Sequence, residues 1–129
     1  LMFHDAFMSH LLLVEDDNIL ASTVADFLRM EGYEIKIAKD GVEGLEMLNM
    51  ERPDLLILDL ILPKKSGEDV LEELRKQEGL KDLPVLVLTV KQDEQSMRRC
   101  LDLGIQGYLI KSDYSLKEIE KNIRQLLKK

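Results

Sequence analysis

The sequence predicts an α/β domain built on a doubly wound, five-stranded parallel sheet. Short apolar runs alternate with helical patterns along the chain, and such runs are typical of strands buried on both faces of a sheet. The alternation is strict, which favours parallel strands joined by right-handed crossovers with helices on both faces. The chain has 129 residues, 45% hydrophobic and 33% charged, which suits one globular domain.

Five segments are predicted strands. Leu11–Val14, Leu55–Leu58 and Val85–Leu88 are apolar throughout, so we expect them in the middle of the sheet. Glu34–Ala38 alternates apolar and polar residues and Tyr108–Ile110 is short, so we expect both at the edges. The strand order 2-1-3-4-5 meets these conditions and is that of a flavodoxin-like (βα)5 fold.

Five helices are predicted between and after the strands, because apolar residues recur there at spacings of three and four. They cover residues 18–31, 42–51, 68–78, 93–103 and 115–128. Their apolar stripes carry, in order, Ile19, Leu20, Val24, Phe27 and Leu28; Val42, Leu45 and Leu48; Val70, Leu71 and Leu74; Met97, Cys100 and Leu101; and Leu116, Ile119, Ile123, Leu126 and Leu127. A glycine or proline follows each of the first four as a stop signal.

The alternating pattern assigns residues 11–129 to the domain. Residues 1–10 are expected to be an N-terminal tail or a cloning remnant, with Met8 as a candidate natural start. No apolar run approaches the roughly 18 residues that span a bilayer, and the start carries Asp5 without a basic segment. We therefore expect neither membrane association nor a secretory signal.

Charge and cysteine usage exclude further classes. The formal net charge of −7 argues against direct nucleic-acid binding, which usually needs a basic surface. The single cysteine, Cys100, cannot form an internal disulfide and is expected in the core. A lone thiol suits a reducing interior, so we expect a cytoplasmic protein.

Polar residues stand at the ends of four predicted strands. Glu15 and Asp16 follow the first strand, Asp59 the third, Thr89 the fourth and Lys111 the fifth. The carboxyl ends of parallel strands share one edge of the sheet, where ligands bind in open α/β folds. Crowded carboxylates call for a cation, and oxygen ligands without histidine or cysteine favour Mg²⁺. The sequence therefore predicts a magnesium site at this edge.

Other sites of α/β folds are missing from the sequence. There is no glycine-rich dinucleotide loop, no GxxxxGK[ST] and no G-x-S-x-G, and His4 and His10 lack metal-ligand spacing. A magnesium-dependent phosphatase of the haloacid dehalogenase type would need a second acid two residues after Asp59, where Ile61 stands. Asp17 is interpreted as the N-cap of the first helix.

Four segments resemble the receiver domain of bacterial two-component response regulators, and the resemblance covers residues 11–128. They are LLLVEDD (11–17), PDLLILDLILPKKSG (53–67), LPVLVLT (83–89) and GYLIK (107–111). The resemblance implies that Asp59 is the phosphoacceptor, that Lys111 pairs with a phosphoryl oxygen, and that Thr89 is the switch hydroxyl. It also implies that Tyr108 is the aromatic switch residue.

The same resemblance implies a metal shell for Mg²⁺. Asp16 resembles the direct ligand, Glu15 the ligand that acts through metal-bound water, and Asp59 and the backbone carbonyl of Ile61 complete the shell. Three departures from the family pattern stand out. Ser112 replaces the usual proline, Val90 replaces a small residue, and Ile61 with Lys91 occupy two positions that tune dephosphorylation. Because the Ile61 side chain cannot orient an attacking water, we expect slow self-dephosphorylation.

The resemblance predicts a phosphorelay switch that catalyses only its own phosphorylation and dephosphorylation. The partners it implies are a sensor histidine kinase or a phosphotransfer protein, and a downstream target that the sequence does not name. Two alternatives stay open: a pseudo-receiver that binds proteins without phosphorylation, and the small phosphatase. Both a stand-alone receiver and one cut from a longer protein fit the sequence.

A basic stripe on the predicted fifth helix has two interpretations. Its members are Lys117, Lys121, Arg124 and Lys128. The stripe is either a solvated helix face or a surface for an acidic partner. A homodimer through the fourth and fifth helices is a further prediction.

Overall fold

Five strands and five α-helices alternate in the computed structural model of the chain, which describes residues 9–128. The strands are β1 (His10–Val14), β2 (Glu34–Ala38), β3 (Leu55–Leu58), β4 (Val85–Thr89) and β5 (Gly107–Ile110). The helices are α1 (Asn18–Met30), α2 (Gly41–Met50), α3 (Gly67–Arg75), α4 (Glu94–Leu103) and α5 (Leu116–Leu127). One 3₁₀ turn, Lys111–Asp113, joins β5 to α5.

The strands form one parallel sheet in the order β2-β1-β3-β4-β5, which confirms the predicted fold. Val14 at the end of β1 lies beside Ala38 of β2 and Leu58 of β3. On the far side of β3, Thr89 at the end of β4 lies beside Ile110 at the end of β5. This register brings the carboxyl ends of β1, β3, β4 and β5 to one edge.

Alternate residues of the central strands belong to two apolar cores, one on each face of the sheet. On one face, β-strand residues such as Leu12 and Leu58 pack with α2, α3 and α4. On the other face, residues such as Leu13 and Ile57 pack with α1 and α5. All four residues of β3 are fully buried, as expected for a strand covered by helices on both sides.

Every α-helix begins at a side chain that accepts a hydrogen bond from a backbone N–H of its first turn. The five caps are Asp17, Asp40, Ser66, Asp93 and Ser115. These residue types satisfy donors that a helix start leaves unpaired. The predicted cap role of Asp17 is confirmed.

Element ends differ from the predictions by up to three residues. The tail was predicted to include His10, but His10 begins β1 and its N–H donates to Asp54 Oδ2 at 2.8 Å. Ser9, also assigned to the tail, accepts from the Glu34 N–H through its carbonyl at 3.0 Å. The rest of the tail prediction concerns residues 1–8, which lie outside the described residues. The third helix ends at Arg75 and not at residue 78. The Arg75 guanidinium donates to the main-chain carbonyls of Leu80 and Lys81 in the loop after α3, and to those of Leu103 and Gly104 at the end of α4.

Four residues predicted on buried stripes point outward. Ile19 is 81% exposed and Leu101 is 64% exposed, and Val42 and Met97 are also exposed. Their spacing places them next to the buried stripe of each helix. However, the part of the helix surface that packs against the sheet is narrower than the apolar stripe in the sequence, so these residues remain exposed. In α4, for example, only Ser96 and Cys100 are buried. The core position predicted for Cys100 is confirmed, and burial raises the pKa of its thiol to about 11.

Candidate functional site

The carboxyl edge of the sheet brings together the polar residues that the sequence singled out. Glu15 and Asp16 follow β1, Asp59 follows β3, Thr89 ends β4 and Lys111 follows β5. Each side chain sits where its strand ends, so the strand order alone makes them neighbours. Glu15, Asp59 and Thr89 are buried, whereas Asp16 is exposed.

Asp59 is the centre of this cluster and is only 4% exposed. The Thr89 hydroxyl donates to Asp59 Oδ1 at 2.7 Å, and the Ile61 N–H donates to the same oxygen at 3.2 Å. Lys111 Nζ donates to Oδ2 at 2.9 Å. Both carboxylate oxygens therefore have donors, which compensates for the cost of burying this charge.

Glu15 shares Lys111 with Asp59. Lys111 Nζ lies 2.6 Å from Glu15 Oε1, and the Asp17 N–H donates to Glu15 Oε2 at 3.0 Å. Burial raises the pKa of the Glu15 carboxyl, the hydrogen bond from Lys111 opposes that rise, and the net pKa is above the usual value. Burial lowers the pKa of Lys111, but its bonds to Glu15 and Asp59 outweigh this effect and the pKa is raised.

Three carboxylates are placed so that they fit a divalent cation. Oxygen atoms of Glu15, Asp16 and Asp59 all lie within 4.8 Å of one another. The donor set contains only oxygen, which hard cations prefer. One lysine does not neutralise three carboxylates, so the arrangement retains negative charge. Asp17 does not join them, because its carboxylate accepts from the N–H groups of Ile19 and Leu20.

Tyr108 reaches the site through the backbone of Lys91. The Tyr108 hydroxyl donates to the Lys91 carbonyl at 2.8 Å. The Lys91 N–H donates in turn to Thr89 Oγ1 at 3.3 Å. Burial, with smaller effects from nearby acidic groups, raises the pKa of Tyr108 to about 12. Tyr108 and Thr89 are thus joined by one residue of the loop after β4.

The departures from the expected pattern lie around this cluster. Ile61 is 52% exposed and Val90 is 55% exposed, so both apolar side chains face solvent next to the buried site. Ser112 lies in the 3₁₀ turn Lys111–Asp113, and its hydroxyl contacts Asp113. The Ile61 side chain offers no hydrogen bond to a water beside Asp59.

Sequence reasoning missed Glu68. This residue lies in the first turn of α3, and its sequence position is typical of an exposed acid near a helix N-terminus. In the structure Glu68 is buried and its carboxylate faces Lys91. No local pattern signals this burial, because it depends on how α3 packs against α4 and the loop after β4.

The predicted basic stripe on α5 is not a uniform surface. Arg124 is bound to the buried carboxylate of Glu120, whose other partner is the Tyr33 hydroxyl at 2.8 Å. Lys117, Lys121 and Arg124 all line a groove between α1 and α5. The hydrogen bond from Tyr33 to Glu120 therefore links α5 to the rest of the domain, whereas Arg124 pairs within its own helix.

No helix among residues 9–128 is long and apolar enough to cross a membrane.

Comparison with known proteins gives one consistent result. The family model "Response regulator receiver domain" matches residues 11–124. Response regulator MprA of Mycobacterium leprae is 38% identical over 119 residues, which are 92% of this chain and 51% of MprA. The chain therefore spans about half the length of the curated relatives it matches.

Solved structures agree with the family match. The non-phosphorylated HemR receiver domain of Leptospira biflexa is 33% identical with a TM-score of 0.85, over 94% of this chain and 95% of that one. The Mn²⁺-bound form of response regulator Rcp1 is 32% identical with a TM-score of 0.79, over 88% of each chain.

Proposed function

Because this chain belongs to the family of response regulator receiver domains, we propose that Asp59 is the phosphoacceptor of its phosphorelay switch. The observation that carries the proposal is the position of the Asp59 carboxylate. It lies at the carboxyl edge of the sheet between Lys111 and the Thr89 hydroxyl, with Glu15 and Asp16 close by. A phosphoryl group bound there would lie beside the Lys111 ammonium group, the Thr89 hydroxyl and the Ile61 N–H.

The proposed reaction is transfer from a phosphohistidine. A carboxylate oxygen of Asp59 attacks phosphorus, the P–N bond breaks, and its electron pair returns to the imidazole of the donor. The product is an aspartyl phosphate. Phosphoryl transfer depends mainly on positioning and on charge stabilisation. Lys111 supplies positive charge to the phosphoryl oxygens, and Thr89 and the Ile61 N–H supply hydrogen bonds.

We propose Mg²⁺ as the cation of this site, held by Glu15, Asp16, Asp59 and the Ile61 carbonyl. Bound there, the metal would neutralise charge on the phosphoryl oxygens. The fit rests on three carboxylate oxygens within 4.8 Å of one another and on the absence of nitrogen and sulfur ligands from the set. The Mn²⁺-bound form of Rcp1 supports a divalent cation in a similar fold.

The switch would work through Thr89 and Tyr108. A phosphoryl group on Asp59 adds charge and acceptor oxygens where the Thr89 hydroxyl now donates to the carboxylate. Reorientation of Thr89 changes its contact with the Lys91 N–H, and Lys91 also holds the Tyr108 hydroxyl. A local electrostatic change would thereby alter the surface of α4 and β5.

Partners and location follow as further proposals. The donor would be a sensor histidine kinase or a phosphotransfer protein, and the output would be changed binding of a target or a homodimer through α4 and α5. We assign residues 10–128 to the receiver domain, which would catalyse only its own phosphorylation and dephosphorylation. The buried thiol Cys100 suits the cytoplasmic location expected from the sequence.

Intact mass tests the proposed phosphoacceptor. The protein is incubated with Mg²⁺ and acetyl phosphate, beside Asp59→Asn and the matched surface variant Asp102→Asn. We expect one added phosphoryl group in the unmodified chain and in Asp102→Asn, none in Asp59→Asn, and none after chelation of Mg²⁺. Equal labelling of Asp59→Asn would contradict the assignment. No labelling with either acetyl phosphate or a phosphohistidine protein would favour the pseudo-receiver.

A further inference from the structure

A buried carboxylate near the site has no part in the proposed phosphotransfer. Glu68, in the first turn of α3, is 8% exposed. Buried acids are rare unless a cation compensates for the charge. The nearest cation is Lys91, with Nζ 3.4 Å from Glu68 Oε1. The next, Arg99, lies at 4.0 Å.

Arg99 is a weak partner for Glu68, because other carboxylates hold it more closely. Its guanidinium lies 2.6 Å from Glu72 Oε1 and 3.2 Å from Asp69 Oδ1. Lys91 is therefore the main compensating charge for Glu68. This ion pair joins α3 to the loop after β4, which are separate parts of the chain.

Lys91 is also the residue that contacts both proposed switch side chains. Its N–H donates to Thr89 Oγ1, and its carbonyl accepts from the Tyr108 hydroxyl. The main chain of Lys91 thus holds Thr89 and Tyr108 in the arrangement seen in the structure. The Lys91 side chain, in turn, donates a hydrogen bond to the Glu68 carboxylate. A movement of the Lys91 main chain that changes its contacts with Thr89 and Tyr108 also shifts the base of the side chain that pairs with Glu68.

We propose that Glu68 is a positioning residue of the switch: its ion pair with Lys91 holds the loop after β4 in the unphosphorylated arrangement. This inference rests on the proposed phosphorelay function. Withdrawal of Lys91 leaves a buried charge without its main partner, which opposes loop movement. Loss of the pair removes that opposition, so a larger share of unphosphorylated molecules adopts the arrangement that phosphorylation favours.

The side chain of Tyr108 reports directly on this arrangement. The chain has three tyrosines and no tryptophan, so ¹⁹F NMR of fluorotyrosine-labelled protein gives three resonances, and Tyr108→Phe assigns the one needed. The resonance is recorded before and after phosphorylation by acetyl phosphate with Mg²⁺. These two positions define the scale on which unphosphorylated variants are read.

The variants break the pair from either side and leave the main chain of Lys91 intact. They are Glu68→Gln, Lys91→Met and the double variant, with Lys91→Arg as the conservative rescue. Lys36→Met is the matched control, because it breaks an ion pair with Glu51 far from the site. Thermal unfolding of each variant confirms that it is folded before its spectrum is compared.

We expect the unphosphorylated Tyr108 resonance of both single variants to move towards the phosphorylated position. A minor population of a few per cent would rise roughly fivefold, with no further change in the double variant. Lys91→Arg and Lys36→Met should keep the original position. An unmoved resonance in folded Glu68→Gln and Lys91→Met, or movement in the opposite direction, would overturn the inference.

Intact mass keeps this result separate from the proposed function. If the unmodified chain takes up no phosphoryl group, the phosphorelay proposal fails. If it is phosphorylated and its Tyr108 resonance moves, while the two single variants match the unmodified protein before phosphorylation, only the role of Glu68 fails.

Discussion

At the scale of single residues, the main feature of the site is the burial of negatively charged carboxylates. Asp59 and Glu15 are both buried and share one ammonium group, that of Lys111. With Asp16 beside them, three carboxylates face one lysine. This surplus of negative charge suits the binding of a divalent cation. It also opposes an incoming phosphoryl group unless that charge is neutralised.

Ile61 carries a prediction about the lifetime of the aspartyl phosphate. Its N–H contacts Asp59, but its exposed side chain cannot bind a water beside the phosphoryl group. In Ile61→Asn, an amide at this place could orient the attacking water, and we expect phosphate loss to be at least about threefold faster. The decay is followed by intact mass after removal of acetyl phosphate.

Ile61→Val is the control for this measurement, because it changes side-chain size without adding a polar group. It should decay at the unmodified rate. Decay of Ile61→Asn at the rate of Ile61→Val would contradict the role assigned to position 61.

At the scale of elements, the start of α3 is packed directly against the main chain of the site. A Cβ atom placed on Gly67 would lie 2.1 Å from the Asp59 carbonyl oxygen and 2.7 Å from the Leu60 Cα. The Gly67 N–H donates to the Leu60 carbonyl at 2.9 Å. The missing side chain of Gly67 therefore allows α3 to approach the segment that carries Asp59.

Gly67→Ala tests this close approach. The added methyl must displace main chain, and we expect the free energy of unfolding to fall by roughly 1–3 kcal/mol. Gly79→Ala is the matched control, because a Cβ there meets no atom within 4 Å. Its effect should stay within about 0.5 kcal/mol. Urea unfolding compares the two variants, and equal destabilisation would show that crowding at Gly67 is not the cause.

At the scale of the whole molecule, a rigid sheet supports a site made from the residues that follow its strands. The residues of β3 and β4 are buried on both faces, and helices cover both sides of the sheet. The four strands whose ends form the site are all paired side by side. A cation bound at this edge would stabilise the entire fold, because its carboxylate ligands come together only when the sheet is formed.

Added Mg²⁺ should stabilise the folded chain through Asp16. At a concentration about ten times the Kd, the gain is about 1.4 kcal/mol. For a domain of this size, that gain corresponds to a rise in Tm of roughly 4–6 °C. Thermal unfolding with and without Mg²⁺ measures this shift.

Asp16→Asn should lose most of the Mg²⁺-dependent shift, because it removes a ligand charge. Asp17→Asn should keep it, since Asp17 caps α1 and asparagine is an equally good cap. The same rise in Tm for Asp16→Asn and the unmodified chain would contradict the proposed metal shell.

The sequence by itself determined the fold class, the strand order and the residues at the strand ends. These depend on local patterns: buried parallel strands leave continuous apolar runs, and ligand residues follow such strands in α/β folds. The cap at Asp17 and the core position of Cys100 were also predictable from local patterns, because Asp17 stands directly before an apolar helical stripe and Cys100 lies within another one. The boundaries of α3 and the start of β1 at His10 were not, because they depend on contacts with distant segments.

Only the tertiary structure decided which charges are buried and paired. Ile19 and Leu101 fit an apolar stripe in sequence but are exposed, because burial depends on the arc of each helix that meets the sheet. Glu68 has the sequence position of a solvated acid but lies buried against Lys91. Glu120 of α5 is also buried, and it accepts a hydrogen bond from the Tyr33 hydroxyl, 87 residues away in sequence. Charge pairing across 23 residues of sequence requires the packed arrangement of α3 and the loop after β4, which no local pattern encodes.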